Sequence, residues 1–494
     1  EIRDWGRMDD AEHYAYVMCG ADGTVAALVK MARPHVVALD LATGARRPVG
    51  PAADTDAGAG RVELFKAADG LLYIDSHEGV FRLRGTEAAP VAAKPEPMPP
   101  PTLPDGSSFR FLDGHAEKAH AWKTIGVRGR DGRQRALRLD YEADGAGIYI
   151  VRGGPGGRVY GSSVLPMHFF TADPATGRVA DEGACSTASG EAYSMDWLDG
   201  RLYLCVYTHA ILCEYDPARP YSFSALREVD GEPRLLEGEW DLAAPLRFRF
   251  GPDDNPRQLG RMDAVAYRPR DMAAGPAGKV WVVSMPDYGM WGGTLSWYDP
   301  KTDRFGGGHR HILRDCSPVA ITSLSGPGWL ALGFCIYGGS GTNPRARAAG
   351  FALWDPVADR ELWTGDFGVP TIGVMDLEDA GDGLAYAIVH PAPEDVLHAD
   401  LVLIDFARRR VVERAPLSSV AGWPLEVSFQ RDDRYLYGAT REAVYRVALG
   451  TTRIEVLWRT ERTDGPTAGG ALVNGRYFFG SLAKLRSVDV AGQP

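Results

Sequence analysis

The chain has 494 residues, 45% apolar and 24% charged, a globular composition that excludes wholesale disorder. Glycine (59) and proline (34) are abundant without a strict period, so collagen is excluded and a fold with many turns is favoured. A net charge of −11 lacks the basic footprint of a general nucleic-acid binder, and no apolar run approaches the ~20 residues that span a bilayer.

The opening segment Glu1–Asp10 is charged and has no apolar signal core. A removed leader leaves no trace, so secretion is not excluded, and a secreted or periplasmic location is expected ahead of a cytoplasmic one. Six cysteines lie at 19, 185, 205, 213, 316 and 335 with no CxxC pair. They read as free and structural, and zinc-ribbon spacing is absent.

One unit recurs along the chain: an apolar strand A, a Gly/Asp turn, an aromatic-rich strand B, a variable loop, a strand C ending in Asp, and a less regular strand D. Copies begin near Tyr14 and Val62. A clear copy follows as GIYIVRGGPGG, RVYGSS, loop VLPM and HFFTADPATG; the next is AYSMDWLDG, RLYLCVY, loop THA and ILCEYDPAR. The clearest starts at Arg268 with RPRDMAAGPAG, KVWVVSM, loop PDYGMWGG and TLSWYDPKT. Weaker copies begin near Ala320, Ile372, Leu425 and Ala468. Glycine at the A–B turn supplies positive φ. In the Asp-Pro-x-x-Gly after strand C, Asp bonds the backbone ahead and Pro fixes φ.

No long 3.6-residue period exists, so the expected class is all-β. Four-stranded antiparallel units repeated around an axis make a β-propeller. Nine copies against the usual four to eight blades predict seven to nine blades in one domain spanning 1–494. Glu1–Trp5 is expected to add the outer strand of the last copy and close the ring. PVAAKPEPMPPPTLPDG (91–106) cannot be a central strand, so about 90–145 is expected to be a Pro-rich loop and insertion. A second irregular insertion is expected at about 217–262.

A propeller's D–A and B–C connections open on one face. Six histidines fall at B–C loops: His35, His77, His168, His209, His390 and His398. His115 and His120 lie in the insertion. Titratable groups gathered on one rim mark an active face. The densest constellation combines His168, Tyr207, His209, Arg268, Arg270, Asp287, Tyr288, Tyr337, Asn343 and Arg345, with His390 as a further binding residue. Arginine grips a carboxylate bidentately and aromatic faces pack on sugar rings, which suits an anionic sugar. The alternative is a surface network in which Arg268 and Arg270 pair with Asp263 or Asp271. GxSxG, Walker A and HExxH motifs are absent. His309-x-His311 shares a strand face, a spacing that suits a metal, although no metal site is assigned.

The stretches RVYGSSVLPMHFFTADPATGRVADEG, YTHAILCEYDPARP, NPRQLG, RPRDMAAGPAGKVWVVSMPDYGMWGGTLSWYDPKT and YGGSGT…FALWDP resemble β-propeller polysaccharide lyases. L-rhamnose-α-1,4-D-glucuronate lyases are the nearer likeness and ulvan lyases the more distant. The resemblance covers about residues 145–365 and implies seven blades. It also implies histidines acting with a tyrosine and an arginine, for which His168 or His209, Tyr207 or Tyr288, and Arg268 or Arg270 are the matches. A related branch of the scaffold is assigned glycoside hydrolase activity.

The expected activity is therefore β-elimination on a uronate-containing glycan. His209 is the expected base and Tyr207 or Tyr288 the acid; Arg268 or Arg270 neutralises the carboxylate. No cofactor is required, and a structural calcium ion is compatible with the reading. The expected partner is an acidic oligo- or polysaccharide, with no nucleic acid or membrane, and a monomer or small homo-oligomer. The rivals are a glycoside hydrolase, for which Asp287, Asp196 or Asp271 would supply carboxylates, and a propeller that only binds glycan or protein.

Overall fold

A computed structural model describes residues 5, 8–9, 16–29, 34–53, 61–96, 98, 103, 105–111, 124–138, 145–164, 167–186, 188, 190–222, 226–229, 232–235, 253–326, 328–391, 398–460 and 465–490. It is almost wholly β; among the described residues one α-helix, Leu417–Ala421, and two 3₁₀ turns are present. The chain forms two compact units.

The first unit comprises 1–109 with 287–291 and 338–343. It holds the first two copies of the repeat as two four-stranded antiparallel sheets, Tyr16–Val49 and Val62–Val91. Their apolar faces share a core of Ala26, Leu28, Val36, Leu64, Ile74 and Leu83.

The second unit holds the other seven copies as seven blades. Their innermost strands are Ile148–Gly154, Ala192–Leu198, Ala266–Ala274, Ser317–Ser323, Thr371–Gly381, Gln430–Arg431 and Ala468–Val473. Successive side chains point to opposite faces of a strand, and the central strands, such as Arg201–Val206 and Leu330–Cys335, are buried at nearly every position, so a blade buries both faces against its neighbours. Seven separate apolar cores result, one between each pair of successive blades. The seventh lies between the last blade and the first, where Val473 and Phe478 pack with Val151 and Phe170. Ile148 N–H donates to the Leu482 carbonyl across that junction. The ring is therefore a closed, seven-bladed β-propeller. The nine copies expected in one ring thus fall as seven blades and a separate pair of sheets.

The last blade has three strands among the described residues; of Glu1–Trp5, expected to complete it, Glu1–Asp4 lie outside them and Trp5 instead packs against the core of Ala27, Val29, Val37 and Leu39 in the first unit. The stretch 217–262, expected as an insertion, carries the missing strand of the second blade. Arg257–Arg261, from the NPRQLG motif, pairs with Ile211–Tyr215. In the region expected as the first insertion, Thr124–Arg128 pairs with Gln134–Arg138, while His115 and His120 lie outside the described residues.

Two local expectations hold residue by residue. The Asp ending strand C accepts from the amide two residues ahead: Ala175 on Asp173, Ala218 on Asp216, Lys301 on Asp299 and Val357 on Asp355, each at 2.9 Å. The six cysteines are free, and five are buried.

A second aspartate links the blades. In the second, third and fifth blades an Asp on the innermost strand accepts the next residue's amide on Oδ1 and reaches the following blade with Oδ2. Asp196 takes Ala274 N–H at 2.8 Å, Asp271 takes Ile321 N–H at 2.9 Å, and Asp376 takes Ser428 and Phe429 N–H at 2.5 and 2.8 Å. Each such clasp gives an acceptor to an amide in, or at the entry to, the first strand of the following blade.

Candidate active site at the strand-entry end of the ring

All innermost strands enter from one side of the ring, and the first three carry tyrosine as second residue: Tyr149, Tyr193 and Tyr267. The ladder slips at each of them, between Ile148 and Ile150, Ala192 and Ser194, and Ala266 and Arg268. A bulge re-aims its extra side chain, and here three successive blades deliver a phenol to one locality. Tyr149 and Tyr193 rings lie 4.7 Å apart, Tyr193 and Tyr207 5.9 Å, and Tyr207 and Tyr267 5.5 Å. The His209 imidazole stands edge-on to Tyr267 at 5.0 Å.

The two predicted arginines join this wall with different partners. Arg268 lies 5.2 Å from the Tyr207 ring centroid. It is half-buried, its Nε reaches no acceptor, and among the described residues no carboxylate pairs with it. Burial acts to lower its pKa, but the phenols of Tyr193 and Tyr207 outweigh that and hold it above the ordinary value. Arg270 occupies the bulge between Pro269 and Asp271, lies 5.7 Å from Tyr193, and is ion-paired with Glu426. Neither arginine forms the predicted alternative network with Asp263 or Asp271.

Beside Arg270 a cavity of about 300 Å³ opens, lined by Tyr149, Tyr193, Trp423, Met375 and Leu425, with the Arg270–Glu426 pair in its wall. Burial raises the Tyr149 pKa well above the ordinary phenol range and also raises that of Tyr193. His390 stands edge-on to Trp423 at 5.2 Å and so buttresses this wall.

Of the predicted site residues, Tyr207, His209, Arg268 and Arg270 come together and His390 supports them. His168 does not join them: Asp181 holds its Nδ1 at 2.8 Å in the first blade. Tyr337 packs against the core between the third and fourth blades, its carbonyl accepting from Ser317. Arg345 is exposed. Asp287, Tyr288 and Asn343 belong to the first unit, where Asp287 caps the Tyr288 amide and the Asn343 carbonyl accepts from Trp291. His309 pairs with Asp359 and His311 with Asp315, so the two rings turn to separate carboxylates. Among the described residues no three His, Cys, Asp or Glu side chains are arranged to hold a metal ion.

At the exit end of the same strands a second cavity, of about 440 Å³, is lined by Asp196, Asp271, Asp376, Glu378 and Asp379 with Arg152 and Arg431. Asp196 and Asp271, weighed in sequence as hydrolase carboxylates, are occupied by the interblade amides. Burial pushes Asp271 and Glu378 up to about 7 and Asp376 well above the usual carboxylate range. An unfolded chain loses the Asp271 proton near 3.8, whereas the folded chain holds it to about 7. The folded state therefore binds more protons in that window, and this group's contribution to stability falls as pH rises from about 4 to about 7. The slope is at most about 1.4 kcal/mol per pH unit and vanishes above 7. Urea midpoints should be higher at pH 5 than at pH 7.5, and Asp271→Asn should flatten the difference; an unchanged slope in that variant would place the coupling elsewhere.

No protein-family model matches the chain, and no curated protein matches it. Among solved structures it is similar to Kuenenia stuttgartiensis hydrazine synthase, at 13% identity and a TM-score of 0.50, over 72% of this chain and 99% of that one. Virginiamycin B lyase from Staphylococcus aureus gives 10% identity over 69% and 90% of the two chains, with a TM-score of 0.40. PorZ, a surface component of the type-IX secretion system of Porphyromonas gingivalis, gives 12% over 96% and 62%, with a TM-score of 0.44. Likeness at this identity concerns fold alone. None of these three is a rhamnose–glucuronate or ulvan lyase. Among the described residues no helix is long and apolar enough to cross a membrane.

Proposed function

We propose that the strand-entry site cleaves a uronate-containing glycan, of the rhamnose–glucuronate kind, by β-elimination. The observation that carries the reading is Arg268: a half-buried cation without a carboxylate partner among the described residues, beside the Tyr207 phenol, whose ring cluster reaches the His209 imidazole through Tyr267. A uronate carboxylate completes it, and neutralising that carboxylate stabilises the negative charge that develops when C5 is deprotonated. His209 takes the C5 proton. The electron pair forms the C4–C5 double bond, the C4–O bond breaks, and Tyr207 gives its proton to the leaving oxygen. Hydrolysis would need two uncommitted carboxylates. Glu426 is paired with Arg270, the exit-end aspartates hold backbone amides, and Glu191, buried beside Tyr193, is one carboxylate where hydrolysis needs two, so elimination is the better-supported reaction.

Incubation with uronate-containing polysaccharides should generate ultraviolet absorbance from the unsaturated product; cleavage without that chromophore would mean hydrolysis. His209 is exposed, so His209→Ala should lower turnover at least about a hundredfold while leaving the melting temperature nearly unchanged. An active His209→Ala enzyme would move the base to another residue.

A further inference from the structure

Two arginines, two residues apart on one bulged strand, serve this site, and only one has its charge cancelled. The Arg270 side chain is 19% exposed and bound to Glu426, whose own side chain is 45% exposed. The pair forms part of the wall of the 300 Å³ cavity, whose remaining lining is mainly Tyr149, Tyr193, Trp423, Met375 and Leu425. Arg441 reaches this lining as an exposed residue, where water and salt screen it. Next to an anion-ready Arg268 thus lies a pocket with aromatic walls, aliphatic padding and an internally neutralised ion pair. A volume of about 300 Å³ is at the small end of ligand pockets and suits a single sugar ring.

Resting on the elimination reading, we propose that Glu426 is a specificity-determining residue: by cancelling Arg270 it restricts the site to one anionic ring, at Arg268, and reserves the adjoining Trp423 pocket for a neutral sugar. A second uronate in that pocket would meet the Glu426 carboxylate, and a like charge in a partly desolvated site is rejected. A neutral ring instead stacks its C–H face on Trp423 and Tyr149, and its hydroxyls donate to Glu426 and accept from Arg270. This places the neutral neighbour of the uronate in the Trp423 pocket and makes Glu426 the group that excludes homopolymeric uronans.

The test compares elimination on a homopolymeric uronan and on an alternating uronate–neutral hexose polymer for the wild type, Glu426→Gln and Trp423→Ala. The wild type should prefer the alternating polymer. Glu426→Gln frees the Arg270 charge while keeping a hydrogen-bonding amide, and should raise kcat/KM on the homouronan roughly ten- to a hundredfold. Trp423→Ala should raise KM on the alternating polymer at least about tenfold with kcat little changed. Wild-type turnover of both polymers at equal rates, unaltered by Glu426→Gln, would overturn the specificity role and leave the lyase reading standing. A separate arm is independent of catalysis: calorimetric titration with neutral methyl hexosides and methyl uronides. Neutral hexosides should bind the wild type and lose affinity in Trp423→Ala, and methyl uronides should gain affinity in Glu426→Gln. Should neither polymer be cleaved, the elimination reading fails, and this arm alone upholds the neutral pocket or, if neither shift appears, overturns it.

Discussion

Arg268→Ala should reduce kcat/KM on a uronate substrate by about two to three orders of magnitude while leaving the urea midpoint within experimental error of the wild type. Arg268 holds no carboxylate among the described residues, so its removal breaks no ion pair. What disappears is the charge and planar fork facing the substrate, whose effect is largest where negative charge builds up at C5 and the carboxylate. Arg268→Lys should recover only part of the rate, because an ammonium restores the charge without the bidentate geometry. Arg270→Ala is expected to behave differently. It leaves the Glu426 carboxylate facing the cavity without its cation, so it should weaken binding and perturb folding together. Steady-state kinetics beside urea denaturation separates the two. If Arg268→Ala retains near-native turnover, the carboxylate is gripped elsewhere and the elimination reading loses its anchor.

Much of the architecture was legible because it is written in short-range chemistry. The strand–turn–strand unit, the Asp-Pro-x-x-Gly turns and the B–C positions of His77, His209 and His390 are all local features. They recur in any sheet whose strands are joined in order. The nine copies are nine sheets, yet not one ring, because local pattern states how many sheets form but not which sheets close on one another. Closure depends on the faces buried between sheets, and the first two sheets bury theirs against each other. Tyr207, His209, Arg268 and Arg270 were found together because B–C loops and innermost strands of neighbouring blades lie side by side in any propeller. Tyr149, Tyr193 and Tyr267 were missed, although stacking GIYIV, EAYSM and VAYRP aligns the three tyrosines in one column. Alternation would send that column into a blade interface; the bulges that turn it toward the site belong to backbone pairing, which a residue pattern does not record. Trp423 and Glu426 lie between the fifth and sixth blades, in a connection with no internal repeat to mark it. Asp196 and Asp271, weighed only for the rival hydrolysis, are structural clasps, because a carboxylate's place in a strand does not tell whether a backbone amide of the next blade will occupy it.

Asp376→Ala should be the most destabilising of these substitutions, lowering the free energy of unfolding by about 3–5 kcal/mol. Asp376 is 4% exposed, and its Oδ2 accepts from both Ser428 and Phe429 N–H while Oδ1 accepts from Leu377 N–H at 2.9 Å. Alanine leaves those amides in a dry interior, where each unpaired donor costs about 1–3 kcal/mol. The loss also spreads. Ser428 enters the sixth blade, its carbonyl accepts from Tyr477 of the seventh, and added Cβ atoms at Gly469 and Gly470 would collide with it. Three blades therefore converge on the residue that Asp376 holds. Because burial keeps the Asp376 carboxyl above the usual range, a neutral isostere is the informative control. Asp376→Asn keeps an acceptor for Ser428 and Phe429, losing only the bond from Leu377 N–H, and should cost about half the alanine penalty or less. Asp355→Ala, which frees exposed amides at Val357 and Ala358, should stay within about 1 kcal/mol of the wild type. Equilibrium urea denaturation with a constant m-value reads all three. Should Asn prove as costly as Ala, the ionised carboxylate rather than the hydrogen-bonded clasp would be holding the fifth blade to the sixth.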